Sequence, residues 1–566
     1  MTEQHFFTCS IGPVQGFVAT ARASQDLWFG SWMLSELAKA AAKALRDDGH
    51  TLIFPAPDSD LNPDSPANVA NKVVAILDGE AKATGDAVEL AVNARREQIA
   101  KNTFDAIEAK GLFNRALAEK QLEDLIEFYW ATVPYDEDKG KDAFSEARSR
   151  AEAIFSARKN TRDFQQARGE GGLPKSSLDG FRESVLLGKR DGKDARKNSR
   201  IEEGENLSGV DLLKRWGNRP NNEKFLSATD IAAKPFEIYL GERCELLREA
   251  IRELFLSIAE RDETPGTLFY VDRLVQLISA PDKAKKFRDD FAELFRRHNV
   301  DRQPSPYYAL LQADGDNMGK TIDNQRQAQQ HSHLSMQLSA FAAHAKKIIK
   351  QHDGVPVYVG GDDMLAYMPL HTALGCVQEL DKTFSEAMQE FRDEDGNQPT
   401  LSVGLAIAHH LTPLSDVLEQ VRGAEKSAKK VKGKNGLAIS LAKRGGAERV
   451  VKDQVTNLLE RIEQLIDMTR KKAVSHGAAY ELENLEHALE LPDVETETHN
   501  KMLRKEAIRI LGRKRESGGD EKVNKETRAK FEKWFEGETV SLDELAGEMI
   551  IAAELAKAYE LAKEKK

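Results

Sequence analysis

From Tyr308 to Ala313 the chain is almost wholly apolar and then breaks into Asp-Gly-Asp-Asn, which predicts a buried strand ending in a turn. Leu334, Leu338, Phe341, Ala345 and Ile348 follow at spacings of three and four, one face of an amphipathic helix. Two short apolar runs, Val355 to Val359 and Met364 to Met368, flank Gly360-Gly361-Asp362-Asp363 and read as a hairpin. Leu374, Val377, Leu380, Phe384, Met388 and Phe391 predict a second helix. Leu401 to Ala408 reads as a strand, Leu414 to Val431 as a helix, and Gly436 to Leu441 as a last strand. The order β-α-β-β-α-β with one α-β appended is the ferredoxin-like arrangement.

The first third suggests the same theme. His5 to Ile11 reads as a strand and Val14 to Leu45 as one long helix. Thr51 to Phe54 and Lys72 to Leu77 read as hairpin strands, followed by a helical stretch reaching about Trp130. This unit has no carboxylate pair on its hairpin. Ser156 to Arg200 differs: twelve Lys or Arg stand against six Asp or Glu, with many Gly and Ser and weak periodicity, an irregular basic insertion. From about Ala447 the pattern is helical to the end, with Val455, Leu458, Leu459, Ile462, Leu465 and Ile466 on one face. The expected class is α+β: two ferredoxin-like units at 1–150 and 301–446, a region between them at 151–300, and a helical domain at 447–566.

Composition narrows the picture in three ways. Apolar residues at 40% and charged residues at 31% of 566 suit a chain with sizeable cores. The net charge of -11, from 82 basic and 93 acidic side chains, excludes a uniformly basic nucleic-acid coat but leaves room for local patches. Cys9, Cys244 and Cys376 are too few for a disulfide framework or a four-cysteine zinc site. No apolar run approaches the roughly 18 residues of a membrane span, and no basic region precedes the first apolar stretch, so a cytoplasmic protein with no membrane partner is expected.

The strongest candidate chemistry lies in the second ferredoxin-like unit. Its topology sets the strand ending at Asp314 beside the hairpin bearing Asp362 and Asp363. Carboxylates so clustered repel unless cations neutralise them, and hard oxygen ligands suit Mg²⁺ or Mn²⁺. Two such ions suit nucleotidyl transfer, activating a ribose 3′-hydroxyl and stabilising a pyrophosphate leaving group. Gly360 and Gly361 leave the backbone open to a nucleotide. Lys426, Lys429, Lys430, Lys432 and Lys434 crowd a helix end and a glycine turn, a pattern that can hold phosphate oxygens.

Three other motifs carry little. Gly169 to Ser176 has Pro174 where a phosphate-binding loop needs its second glycine. His352-Asp353 lacks the further histidines of a metal nuclease and reads as a turn. His409-His410 ends a strand, a weak metal signal better suited to a structural or substrate-edge role.

These motifs together resemble the large Palm-domain subunit of type III CRISPR–Cas effector complexes, most closely the Cmr (III-B) branch. The resemblance covers nearly the whole chain. It rests on Ser10-Ile-Gly-Pro-Val-Gln15, Ala21-Arg22 and Asp26-Leu-Trp-Phe-Gly-Ser31 in the first palm, and on Leu173 to Val185 between the palms. In the second palm it rests on Asp314-Gly-Asp-Asn-Met-Gly319, Gly360-Gly-Asp-Asp363 and Ser402-Val-Gly404.

The resemblance implies a polymerase-cyclase fold that, on binding RNA complementary to its guide, joins ATP through 3′-5′ linkages into cyclic oligoadenylate. Asp314, Asp362 and Asp363 would be the catalytic, metal-binding carboxylates. Nucleotide contacts would come from Gly315, Asp316, Asn317, Gly319, Gly360, Gly361, Ser402 and Gly404. Lys429, Lys430 and Lys434 compete for the phosphate. A second nucleotide would lie near Gln15, Asp26, Gly30 and Ser31. The implied partners are the backbone and small helical subunits, crRNA and target RNA.

Two departures qualify this. The first palm strand begins at about residue 5, leaving no room for the His-Asp nuclease domain of many relatives, so no DNase activity is expected. With only Cys244 available between the palms, no zinc is expected there. Joining S-adenosylmethionine to AMP at the same site is an alternative reaction, and a catalytically silent structural subunit is an alternative role. Met364 after the Gly-Gly-acid pair argues against a stand-alone diguanylate cyclase.

Overall fold

A computed structural model describes residues 4–108, 111–140, 142–161, 171–187, 201, 204–217, 225–259, 262–443, 445–488, 496–513, 521–536 and 541–563. About half of the basic insertion, at 162–170 and 188–200, lies outside the described residues. Among the described residues no helix is long and apolar enough to cross a membrane.

The first sheet is built on strand β1 (Gln4–Gly12), whose alternation places Phe7, Cys9 and Ile11 in one core and Phe6 in another. It pairs antiparallel with β3 (Lys72–Asp78) and β4 (Glu127–Tyr135), and β2 (Thr51–Phe54) pairs with β3, giving the order β2-β3-β1-β4. The connecting helices are α1 (Gln15–Ala19), α2 (Ser24–Asp47), α3 (Ala81–Glu108) and α4 (Arg115–Glu123), and α5 (Ala143–Asn160) covers the far face. This is the ferredoxin-like order.

Two expectations fail here. The helix predicted from Val14 to Leu45 is broken at Thr20–Ala23. Asp26 caps the N-terminal end of the second piece, its Oδ2 accepting from the backbone N–H of Arg22 (3.2 Å) and Ala23 (3.1 Å). Buried Lys214 takes up the carbonyl oxygens of Phe17 and Thr20 at the end of the first. Trp130 is not helical but lies in β4, stacked on Phe7 at 6.0 Å, and the run Phe128 to Val133 favours a strand.

Between the palms run α6 (Gly209–Trp216), α7 (Ala228–Leu240), α8 (Arg243–Ala259), α9 (Val271–Gln276) and α10 (Pro281–Arg297). The second sheet has β5 (Tyr307–Gly315) at its centre, with β6 (Val355–Val359), β7 (Met364–Met368), β8 (Leu401–His409), β9 (Gly436–Leu441) and β10 (Arg449–Gln454) in the order β10-β9-β8-β5-β7-β6. Tyr308 and Leu310 face the core shared with the first palm. Ala309, Leu311 and Ala313 face α12 (Ala328–Gln351), α13 (Leu370–Ala387) and the C-terminal helices. Short α11 (Met318–Asp323) follows β5, and α14 (Leu414–Ala428) links β8 to β9 in parallel.

β10 overturns the expectation that everything after Ala447 is helical. Only Val451 of its six residues is buried, so it carries no apolar signal, and its charged side chains suit a sheet edge. The remainder is helical: α15 (Val455–Arg470), α16 (His476–Ala488), α17 (Thr496–Arg513), α18 (Glu521–Glu536) and α19 (Leu542–Leu561). The last of these is buried along nearly its whole length.

The palms are packed together directly. Phe144 on α5 meets His331 on α12 edge to face at 5.5 Å. Arg148 donates to the carbonyl oxygen of Ile322 at 3.0 Å and to Asp323, and Lys346 donates to that of Pro66 at 2.6 Å.

Candidate active site

The end of β5 and the β6–β7 turn come together because β5 pairs with β7 from Ala309↔Met368 to Ala313↔Met364. One residue past that register, Asp314 is still paired with Ser402 of β8 and lies beside the turn that holds Asp362 and Asp363. Gly361 adopts φ 94°, the left-handed region, and the N–H of Gly360 donates to the carbonyl oxygen of Asp363 at 2.9 Å. Asp362 rests on Gly315: a Cβ there would lie 2.9 Å from Asp362 Cβ and 3.0 Å from its Oδ2. Tyr358 on β6 donates its hydroxyl to Asp363 Oδ1 at 3.0 Å.

The electrostatics of this cluster are those of excess negative charge. Burial and then the charge of Asp314 push Asp362 up to about 6 and Asp363 up to about 7. Lys429 at the end of α14 reaches across to Asp314 Oδ2 and lies 2.9 Å from Glu425 Oε1. One ammonium thus stands among four carboxylates.

Among the described residues, no group of three or more His, Cys, Asp or Glu is gathered closely enough to hold a metal ion as it stands. Lys429 contacts one oxygen of Asp314, its Oδ2. The donor set itself fits a hard divalent cation: it is all oxygen, partly buried, and short of positive charge.

The remaining predicted residues divide sharply. Asn317 (φ 59°) and exposed Gly319 sit at the start of α11 near the cluster. Asp316 does not open onto it. Its Oδ2 accepts from Thr400 Oγ1 (2.9 Å), Ser402 Oγ (2.8 Å) and the N–H of Asn435 (3.2 Å), tying together the ends of β5, β8 and β9. Ser402 is fully buried in that tie. Gly404 lies under α14, where a Cβ would meet the backbone N of Glu425 at 2.3 Å, so its role is close helix–strand packing. These three expected nucleotide contacts are, in this structure, engaged in holding the sheet and α14 together.

Among the lysines, Lys434 (φ 63°) donates its ammonium to the carbonyl oxygen of Lys429 at 2.8 Å, while Lys430 is exposed.

In the first palm, Asp26 is the acidic residue expected near a second nucleotide. It is fully buried and accepts from Arg215 Nε at 2.7 Å and Nη2 at 3.0 Å, a bidentate ion pair that fastens α2 to α6. Gly30 is buried against Val18 and Lys214, and Ser31 is half-buried. The side chain of Gln15 lies outside the described residues. Sequence reasoning missed Glu425 and Tyr358. Glu425 had a signal, its place four residues before Lys429 on a helix; Tyr358 had only its place on the hairpin strand.

Residues 307–438 match the family described as Cas10/Cmr2, second palm domain, and residues 6–104 the family described as CRISPR-associated protein Cmr2, N-terminal. The chain is similar to the CRISPR system Cmr subunit Cmr2 of Pyrococcus furiosus, 32% identical over 170 residues, which cover 25% of this chain and 19% of that relative. Among solved structures it is similar to a type III-B Cmr-beta in the apo state, with TM-score 0.62 and 16% identity over 92% of this chain and 78% of that one. It is also similar to Cmr-beta bound to cognate target RNA, with TM-score 0.60 and 14% identity over 91% and 79%. At such identities the structural likeness establishes the fold.

Proposed function

We propose that this chain, whose residues 6–104 and 307–438 match the Cmr2 N-terminal and Cas10/Cmr2 second-palm families, is a large subunit of an RNA-guided type III-B effector complex whose second palm makes cyclic oligoadenylate from ATP. The observation that carries this reading is the seat of Asp362 on Gly315, which brings the hairpin carboxylates to the end of the strand bearing Asp314. Two Mg²⁺ or Mn²⁺ ions held by Asp314, Asp362 and Asp363 would activate a ribose 3′-hydroxyl and stabilise the pyrophosphate leaving group.

The chain's own residues do the positioning. Tyr358 fixes the orientation of Asp363, and the left-handed Gly361 keeps the tip of the turn clear of side chains. The buried Asp316 tie holds the ends of three strands in register, so that Asp314 projects from a rigid edge. The proposed partners are the backbone and small helical subunits, crRNA and target RNA, acting in the cytoplasm. Exposed lysines would contact phosphate without reading sequence.

The test is a product assay on the assembled complex with Mg²⁺ and ATP, with and without S-adenosylmethionine and cognate RNA. An Asp362→Ala/Asp363→Ala complex runs beside it, and products are identified by mass. RNA-dependent oligoadenylate that vanishes in the variant is the expected result. An S-adenosylmethionine adduct would replace the substrate assignment, and no product from a complex that binds RNA would leave a structural subunit.

A further inference from the structure

Lys429 holds a position that the metal-binding reading makes awkward. Its ammonium sits on Asp314 Oδ2, and its second partner, Glu425 Oε1, lies 2.9 Å away on the preceding turn of the same helix. An ammonium and a divalent cation on one carboxylate repel each other at close range, so each weakens the other's hold on Asp314. One positive charge also cannot balance Asp314, Asp362, Asp363 and Glu425.

The backbone at Lys429 is pinned. Lys434 donates to its carbonyl oxygen at 2.8 Å from a turn with Gly433, Lys434 and Asn435 all at positive φ. Any exchange must therefore be made by the side chain, whose four-carbon stem is flexible. Glu425 is buried and offers the ammonium a partner that does not depend on Asp314.

We propose that Lys429 is the resident counter-ion of Asp314 and that a divalent cation displaces it onto Glu425 alone. The inference rests on the reading of Asp314, Asp362 and Asp363 as metal ligands. In this role Lys429 lowers the site's affinity for bare metal and keeps the carboxylates from repelling one another while no cation is bound.

The experiment is a Mn²⁺ titration of the full chain without nucleotide, read by electron paramagnetic resonance. It compares the unmodified protein, Lys429→Met and Asp362→Ala/Asp363→Ala. Lys429→Met should bind Mn²⁺ at least about fivefold more tightly, the factor for two unit charges about 4 Å apart screened as in bulk water. Binding should be lost in the double variant. Equal or weaker binding by Lys429→Met, with binding by the unmodified protein lost in the double variant, would overturn this inference alone. No Mn²⁺ binding that depends on Asp362 and Asp363 would overturn the metal reading and the inference with it.

A second measurement avoids the substitution. Acetylation by an amine-reactive ester, read residue by residue by mass spectrometry, should rise at Lys429 when Mg²⁺ is added while exposed Lys430 serves as reference. No change at Lys429 under Mg²⁺ saturation would also overturn the inference.

Discussion

Replacing Gly315 by alanine tests whether the acidic cluster depends on the close approach of strand and turn. The added Cβ would lie 2.6 Å from Met318 Cγ, 2.9 Å from Asp362 Cβ and 3.0 Å from Asp362 Oδ2. Ordinary carbon contacts begin near 3.5 Å, so atoms must give way by about 0.5–1 Å. Met318 is flexible and can yield. Asp362 cannot move without its turn, which is fixed by the Gly360–Asp363 hydrogen bond.

The expected stability loss is about 1–3 kcal/mol, the usual range for overpacking. Displacing a reacting group by about 1 Å costs on the order of 10²-fold in rate, so product formation by the RNA-bound complex should fall by about that factor. Gly319→Ala is the control. Nothing lies within 4 Å of its Cβ position, and alanine at an exposed helical site should hold or slightly raise stability. Thermal unfolding and initial rates on both variants decide the matter. A Gly315→Ala protein with unchanged rate and Mn²⁺ affinity would refute the argument that Asp362 must sit where Gly315 admits it.

Three further outcomes are expected. Asp26→Ala should cost up to about 3 kcal/mol in urea unfolding, because buried Arg215 loses its two hydrogen bonds to Asp26, at 2.7 and 3.0 Å. Gly404→Ala should lower stability by about 3 kcal/mol, since its Cβ would meet the Glu425 backbone N at 2.3 Å; a thermal midpoint within about 2 °C of the parent would contradict the packing role. Burial, then the charges of Arg148 and Lys72, hold His331 down to about 4. The unfolded chain, with an ordinary histidine near 6.5, takes up a proton that the native state refuses, so stability should fall by up to about 3 kcal/mol as pH drops from 6.5 to 4. His331→Phe should lose that share of the pH dependence, measured as the difference between the two proteins' unfolding at pH 5 and pH 7.5.

The second palm was legible because its apolar runs are short, well separated and punctuated by glycine where the chain turns. Strands β5 to β9 and helices α12 to α14 follow directly from period and punctuation, and their order sets Asp314 beside the hairpin carboxylates. β10 was not legible because an edge strand buries little: Lys452 and Asp453 leave only Val451 as an inward signal. The break in the first long helix was hidden for another reason. It depends on Lys214 and Arg215, which lie nearly two hundred residues away and supply the hydrogen bonds that the interrupted helix ends require.

The same dependence on distant partners explains why motif residues of one chemical kind have opposite roles. Asp314 and Asp316 stand two apart, yet one faces the open edge and the other is sealed inside it. The left-handed Asn317 turns the chain after Asp316, and Thr400, Ser402 and Asn435 converge on that carboxylate from β8 and β9. Asp26 is likewise claimed by Arg215. An acidic residue in such a motif is available for chemistry only where the tertiary structure leaves its oxygens without a permanent donor. Asp362 and Asp363 meet that condition most nearly, with Tyr358 as a hydroxyl donor to one oxygen of Asp363. Asp314 meets it only if Lys429 can leave. The competence of the site therefore turns on a lysine–carboxylate contact that no spacing rule could have ranked above its neighbours Lys430 and Lys434.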